Sequence, residues 1–192
     1  NIGIFIFDNV EVLDFCGPFE VFSVASEINN FELFEIFTVA KTSDPLFAVN
    51  GLSVNPKYNF ADAPHIDILI ISGGAGTRQL INDGEVLSWI EKIHSISEYT
   101  ASICTGARVL AKLGYLNNIP FVTHHLAYEN VMEIAPLAIP VKEQRYLQAG
   151  KIFTSGGISA GIDLSFHIVE LLKGREVAEQ TAAYMEYNLV RF

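Results

Sequence analysis

Short apolar runs alternate with amphipathic stretches along the whole chain, a pattern that predicts alternating strands and helices. The apolar runs at 66–71 and 99–103 are continuous enough to be strands that are buried on both faces. Strands of this kind, separated by helices, form a mostly parallel sheet with helices on both sides. The predicted core strands are residues 2–7, 34–40, 66–71 and 99–103.

Six amphipathic stretches predict the helices, and end-preferring residues mark their limits. Gly17-Pro18 is expected to open the first, which runs to about Ile28, because proline lacks the N–H that a helix start leaves unsatisfied. Asp83 can cap the second helix, and Gly174 ends the fifth. The third, fourth and sixth helices are predicted at 105–113, 126–134 and about 176–187.

Two hairpins interrupt this alternation. Asn50-Gly51 is a strong hairpin signal because it supplies two positive φ angles, and Ala149-Gly150 separates two short strand-like runs at 144–147 and 151–154. The sequence contains no internal repeat or linker. We therefore expect one domain over residues 1–192.

Composition and charge exclude several classes of partner. The 192 residues are 50% hydrophobic and 18% charged, with 12 basic against 22 acidic side chains and a net charge of -10. Nucleic acid and anionic membranes attract clustered Lys and Arg, so we expect neither as a partner. The two cysteines do not form a disulfide framework, which favours reduced thiols and a cytoplasmic protein.

The strongest chemical signal is a cysteine at a strand-to-helix junction. The strand predicted at 99–103 ends at Cys104, and a helix follows immediately. Ser102 and Gly106, two residues before and after the cysteine, are both small. A nucleophile elbow needs small residues there because its turn is sharp, and a helix N-terminus favours a thiolate. The alternative is a buried cysteine that only packs.

A second group follows the first strand, at the same end of the sheet. Asp14 precedes Gly17-Pro18, so it is either a helix cap or an acid at the site. Glu20 is expected to face the positive end of the first helix. Cys16 lies at the junction between loop and helix and is expected to pack rather than to react.

Two glycine-rich turns also follow strands. The turn at 72–76 can present backbone N–H groups to an oxyanion, whereas the turn at 155–161 is equally compatible with close helix–sheet packing. Neither glycine spacing matches a dinucleotide fingerprint, and the five histidines lack the i, i+4 spacing of a helical metal site. We expect no cofactor and no metal.

Six motifs in this order resemble the DJ-1/PfpI (ThiJ) superfamily along almost the whole chain. Within it, the isocyanide (isonitrile) hydratase branch and the sensor domains of related regulators are the most similar. The motifs are Leu13-Asp14 with Gly17-Pro18, Glu20-Val21-Phe22, Gly73-Gly74-Ala75-Gly76, Ser102-Ile103-Cys104-Thr105-Gly106, Thr123 with His125, and Gly156-Gly157-Ile158 through Gly161-Ile162-Asp163.

The resemblance implies a flavodoxin-like three-layer α/β sandwich, a homodimer, and a strained reactive cysteine at a nucleophile elbow. It assigns Cys104 as the nucleophile and Asp14 as the partnering carboxylic acid. It also implies that an oxyanion faces backbone N–H groups near Gly74 and Thr105.

Two further positions, His125 and Ile158, are implied around this pair. In the peptidase-like branch a histidine directly follows the cysteine, whereas Thr105 stands there in this chain. This difference argues against a peptidase and is similar to the isocyanide hydratase branch.

These residues fit the hydration of a small isonitrile to an N-formamide through a thioimidate on Cys104, without a cofactor. The thiolate attacks the terminal carbon, an acid supplies a proton, and water releases the product. We expect a protonated Asp14 beside a Cys104 thiolate near neutral pH, because two adjacent anions repel each other. Two alternatives use the same cysteine: a non-catalytic redox or ligand sensor, and a glyoxalase-like or amidase-like hydrolase.

Overall fold

Seven strands form the central sheet of residues 1–189, the part of the chain that this computed structural model describes. Across the sheet the strands are β10 (Tyr146–Ala149), β11 (Ile152–Ser155), β7 (Tyr99–Ile103), β6 (Ile68–Ile71), β1 (Ile2–Phe5), β2 (Ile36–Ala40) and β5 (Tyr58–Asn59). Neighbouring strands are parallel except in the β10–β11 hairpin at one edge. The run β2, β1, β6, β7, β11 has the 2-1-3-4-5 order of flavodoxin-like folds, which confirms the predicted α/β class.

Helices flank the sheet, and two pairs of very short strands lie outside it. The short pairs are β3 (Leu46–Phe47) with β4 (Ser53–Val54), antiparallel, and β8 (Pro120–Phe121) with β9 (Ile139–Pro140), parallel. None of the helices in residues 1–189 is long and apolar enough to cross a membrane. The helices are α1 (Val12–Glu27), α2 (Thr77–Leu80), α3 (Gly84–Ile96), α4 (Ala107–Lys112), α5 (Tyr128–Ile134), α6 (Ala160–Lys173) and α7 (Arg175–Tyr184).

The core lies on both faces of the sheet and holds the strand ends in register. Every residue of β1 and β6 is buried, as the continuous apolar runs predict. Phe5 pairs with Ile71, and Ile71 pairs with Ser102, so β1, β6 and β7 end at the same level. The loops that follow these three strands therefore meet at one edge, where parallel α/β sheets place their sites.

Several predicted element ends are confirmed. The Asp83 side chain accepts from the N–H groups of Glu85 and Val86 at the start of α3, and Gly174 ends α6 with a φ of 90°. The loop between β3 and β4 contains Asn50 and Gly51, both with positive φ. Asn50 and Gly51 thus adopt the positive φ values that asparagine and glycine tolerate best.

The predicted start of the first helix is wrong. α1 begins at Val12, five residues before Gly17, so Pro18 lies inside the helix. The preceding residue, Glu11, is fixed by a 2.9 Å hydrogen bond from its N–H to the Gly73 carbonyl. Tertiary contacts thus fix the start of the helix upstream of Pro18, so that proline does not occupy the first helical position that it favours. As a consequence, Asp14 lies in the first turn of α1 and is not its cap.

Candidate active site

Cys104 occupies a strained turn between β7 and α4. Its φ is 56°, a left-handed value that a residue with a Cβ adopts at a cost of about 1–3 kcal/mol. A single 3-10 turn, Cys104–Gly106, leads into α4, and a Cβ at Gly106 would collide with the Ile71 carbonyl oxygen. The Thr123 hydroxyl donates to the Cys104 carbonyl at 2.6 Å and anchors the turn. The small residue at 106 therefore has the steric reason that the elbow pattern predicts.

Asp14 reaches Cys104 from α1, ninety residues earlier in the chain. Its side chain is fully buried and hydrogen-bonds the Cys104 thiol. Asp14 Oδ2 accepts from the Gly73 N–H, and Oδ1 accepts from the Ile158 N–H, both at 3.1 Å. The carboxyl group is thus fixed by two backbone donors from separate loops, and the structure brings Cys104, Asp14 and Ile158 together.

Glycine allows this close approach. A Cβ at Gly73 would lie 2.5 Å from Asp14 Oδ2 and 2.7 Å from the Cys104 Cβ. On the opposite side, a Cβ at Gly157 would lie 3.2 Å from the Cys104 sulfur. Both glycine-rich turns therefore leave room for the thiol and the carboxyl group. Their glycines thus serve the site itself and not only the packing of helices on the sheet.

Burial dominates the acidity of Asp14. Removal from water raises its pKa to about 7, against the opposing hydrogen bonds from Cys104 and from the N–H groups of Ile158 and Gly73. The negative charge of nearby Glu11 also raises it. A carboxyl group whose pKa lies close to neutrality can both accept and donate a proton.

Burial opposes the expected resting thiolate at Cys104. Burial, and next the negative charge of Asp14, raise the pKa of Cys104 to about 12, although a hydrogen bond from the Thr105 N–H opposes this rise. α4 begins only at Ala107, three residues later, so desolvation outweighs the benefit of a helix N-terminus. The direction of this shift favours a neutral thiol beside Asp14, and the two groups titrate as one unit.

The two backbone N–H groups predicted to face an oxyanion, those of Gly74 and Thr105, have hydrogen-bond partners within the protein. The Gly74 N–H donates to the Thr105 hydroxyl at 2.8 Å, so Gly74 can serve an oxyanion only if that bond breaks. The Thr105 N–H points to the Cys104 sulfur. Ala75, the residue after Gly74, lines the same cavity. The glycine motif did not point to Ala75, because the motif does not indicate which residue of the turn faces the cavity.

Of the adjacent histidines, the structure places His124, and not His125, at the cavity. His125 is exposed and does not line the cavity, whereas the His124 ring lies against Gly157 beside Cys104. Burial, and next the charge of His125, lower the pKa of His124. The Leu126 N–H donates to His124 Nδ1 at 3.3 Å, which leaves the proton of the neutral ring on Nε2.

These groups surround a cavity of about 240 Å³ that is suited to a small ligand. A larger cavity of about 330 Å³ beside Phe7 and Lys41 contains no cysteine or histidine among its lining residues. In residues 1–189 no three His, Cys, Asp or Glu side chains cluster as metal ligands would. The active cavity is lined by Glu11, Gly74, Ala75, Arg78, Cys104, Thr105, Arg108, His124, Leu126, Ala127 and Ile158.

The other cysteine lies elsewhere. Cys16 is exposed on α1 and is not packed as the sequence suggested. Asp14, two residues away, points inward, because successive helical residues differ by about 100° in direction. Cys104 therefore provides the thiol of the cavity.

Comparison with known proteins agrees with the α/β fold. Residues 1–171 match the sequence profile of the DJ-1/PfpI family. The chain belongs to the DJ-1/PfpI family. It is 33% identical over 187 residues to the isonitrile hydratase of Pseudomonas putida, an alignment that covers 97% of this chain and 78% of that protein.

Other DJ-1/PfpI relatives have different names. The transcriptional regulator GbdR of Pseudomonas aeruginosa is 22% identical over 191 residues, and this chain spans about half of its length, 52%. A crystal structure of a ThiJ/PfpI family protein from Pseudomonas syringae superposes with a TM-score of 0.88 at 26% identity, over 99% of this chain and 76% of that chain. DJ-1 of Schizosaccharomyces pombe superposes at 0.81 with 15% identity, over 98% and 100% respectively. The family thus includes an enzyme and a regulator.

Proposed function

We propose that this DJ-1/PfpI chain hydrates small isonitriles to N-formamides, with Cys104 as the nucleophile and Asp14 as the proton carrier. The hydrogen bond between the buried Asp14 carboxyl group and the Cys104 thiol, at a small cavity, carries the proposal. The 33% identity to an isonitrile hydratase over nearly the whole chain supports this reaction.

The first step forms the covalent bond. Asp14 in its ionised form accepts the thiol proton as the Cys104 sulfur attacks the terminal carbon of R–N≡C. Asp14 then returns that proton to the same carbon, which gives the thioimidate R–N=CH–S–Cys104. The sulfur and one hydrogen have been added to the carbon, and Asp14 is again ionised.

The second step consumes water. Asp14 takes a proton from the water molecule as its oxygen attacks the thioimidate carbon, and the imine nitrogen receives that proton. The tetrahedral R–NH–CH(OH)–S–Cys104 then collapses, the C–S bond breaks, and the hydroxyl proton returns to sulfur. The product is R–NH–CHO, so R–N≡C and one water are balanced without a cofactor.

A direct assay tests this reaction. Purified protein is mixed with phenyl isonitrile, and the formamide is quantified by liquid chromatography. We expect stoichiometric conversion that continues over many turnovers and does not change when a chelator is present. Absence of formamide under conditions where the protein is folded would contradict the proposal.

The pKa values predict how the rate depends on pH. Attack requires that the pair has lost one proton, and the first proton leaves Asp14 with a pKa of about 7. We expect kcat/KM to rise about tenfold per pH unit below pH 7 and to become constant above it. A rate that falls as pH rises from 6 to 9 would contradict this order of titration.

A redox or ligand sensor is the second candidate function. The likeness to GbdR favours it, because that relative is named as a transcriptional regulator. In a sensor the Cys104 thiol would be oxidised by a peroxide to a sulfinic acid that the Asp14 carboxyl group stabilises. The high pKa of Cys104 predicts slow oxidation. Rapid addition of two oxygen atoms per chain when two equivalents of peroxide are added, seen by mass spectrometry, would favour the sensor over the hydratase.

We also propose a homodimer. Several large apolar side chains are exposed in the single chain, among them Phe31 at 76% and Leu126 at 79%. An association between two copies would cover surface of this kind. We expect light scattering at micromolar concentration to give twice the mass of one chain, and a stable monomer would contradict this expectation.

A further inference from the structure

A buried arginine beside Cys104 lacks a carboxylate partner. Arg108 lies on α4, is 3% exposed and forms part of the cavity wall. Within residues 1–189 no Asp or Glu forms an ion pair with it. Burying a guanidinium without a counter-ion is costly, so this position calls for an anion.

The hydrogen bonds of Arg108 leave part of the guanidinium free. Nε donates to Asn130 Oδ1 at 2.6 Å, and Nη1 donates to Thr77 Oγ1 at 2.9 Å. In the described part of the chain Nη2 has no partner, although it carries two N–H groups. Both partners are neutral, so they orient the side chain between α2 and α5 without cancelling its charge.

The charges around the cavity favour a ligand with a single negative charge. Arg78 also lines the wall, and its positive charge acts on Arg108. Burial lowers the pKa of His124, so its ring is neutral at pH 7. Glu11, on the same wall, opposes a ligand with two negative charges. The lining residues thus carry two positive charges and one negative charge, in a chain whose net charge is -10.

We infer that Arg108 binds a carboxylate of the substrate, and that the substrates are compact isonitriles carrying a carboxylate group. This inference rests on the proposed hydratase function. Arg108 is the second residue of α4, which follows the Cys104 turn directly, and both side chains line the same cavity. A small acid can therefore contact Nη2 with its carboxylate while its isonitrile carbon reaches the sulfur, and the 240 Å³ cavity excludes large acids.

A pair of matched substrates tests the inference. Isocyanoacetate and its methyl ester differ chiefly in the charge of the acid. We expect the wild-type kcat/KM for the acid to exceed that for the ester by about 10- to 100-fold, mainly through a lower KM, because a hydrogen bond to a charged group is strong. Equal values, or a preference for the ester, would overturn the inference.

Two variants locate the effect. Arg108→Met is expected to remove the preference for the acid, so the ratio of the two kcat/KM values falls to about one or below. Lys112→Met is the matched control, because Lys112 is an exposed cation one turn later on the same helix and outside the cavity. The ratio should be the same in Lys112→Met as in wild type. Retention of the wild-type ratio in Arg108→Met would overturn the role of Arg108.

Because Arg108 also joins Thr77 and Asn130, the variant could fold poorly, and a second measurement avoids that problem. N-formylglycine, the product expected from isocyanoacetate, is titrated into the wild-type protein by calorimetry beside its methyl ester. We expect the acid to bind at least tenfold more tightly, and this binding to weaken when chloride is raised. Equal affinities of the acid and the ester would overturn the inference without any variant.

The two proposals fail in different ways. Hydration of the ester without a preference for the acid would leave the hydratase standing and overturn the carboxylate inference. If neither isonitrile is hydrated, the proposed function fails. The calorimetric comparison of N-formylglycine with its ester then still decides whether the cavity selects a carboxylate.

Discussion

The Cys104→Ala variant is expected to lose isonitrile hydration by a factor on the order of 10⁴ or more, because no covalent intermediate can form without the sulfur. The thiol lies at the strained turn and in contact with Asp14, and no other group of the cavity wall is a thiol. Alanine keeps the Cβ and the left-handed conformation, so the turn itself is unchanged. Formamide production is measured under single-turnover and steady-state conditions.

Cys16→Ala is the matched control. Cys16 lies exposed on α1, outside the cavity, so its loss should change kcat/KM less than about twofold. Circular dichroism and thermal unfolding establish that both variants are folded. Loss of turnover in Cys16→Ala with full turnover in Cys104→Ala would show that the nucleophile is assigned to the wrong cysteine.

The sheet could be predicted from the sequence because buried parallel strands need continuous apolar runs. The run at 99–103 coincides with β7, whereas the run at 2–7 extends two residues beyond β1. Ile6 and Phe7 are still buried, although they have left the regular strand. Burial and strand pairing are separate constraints, and an apolar pattern reports only the first.

The start of α1 could not be predicted because it depends on contacts from another loop. Gly17-Pro18 is a local signal, whereas the Glu11 N–H bonds the Gly73 carbonyl, 62 residues away. A helix that starts at Gly17-Pro18 would allow Asp14 to be its cap. In the structure it is a buried acid of the first helical turn.

The candidate site was predictable only where its geometry is local. The small flanks of Cys104 lie within two residues of it, so the elbow could be recognised in the sequence. Which of two adjacent histidines faces the cavity depends on how the chain turns after Thr123, and no pattern encodes that choice. The raised pKa of Cys104 could not be predicted either, because its largest cause is burial by segments that are distant in the sequence.

The burial of Arg108 also could not be predicted from the sequence. In the sequence it is one of two cations in a mainly apolar helix, and its spacing from Cys104 does not indicate that it is buried. Only the packing of α4 against α2 and α5 shows that its charge is enclosed. A buried cation is informative because its cost must be offset by a partner or a ligand.

Asp14→Asn is expected to lower kcat for isonitrile hydration by roughly 10²- to 10⁴-fold, which is typical of a lost general acid–base group. An amide can contact the thiol but cannot accept its proton or return it to the substrate carbon. The rise of kcat/KM through pH 7 should disappear as well, because the group with the pKa of about 7 is gone.

Asp8→Asn is the matched control for this change. Asp8 Oδ1 accepts from the Phe47 N–H at 2.8 Å, so this variant also removes one negative charge from a carboxylate that accepts a backbone hydrogen bond. Asp8 lies on the wall of the larger cavity and not beside Cys104. Its replacement should leave both kcat and the pH profile unchanged, which separates proton transfer from a general loss of charge.

Asp14→Asn is also expected to change the pKa of the Cys104 thiol. The negative charge of Asp14 contributes to the high pKa of Cys104, so its removal should lower that pKa even as turnover falls. The ultraviolet absorbance of the thiolate, taken as the difference from Cys104→Ala, is followed against pH in both proteins. A thiolate that forms at lower pH in Asp14→Asn, together with slow hydration, separates proton transfer from nucleophile ionisation, since an easier ionisation alone would increase the rate. Full activity in Asp14→Asn, or a Cys104 pKa that rises there, would contradict the proton-carrier role.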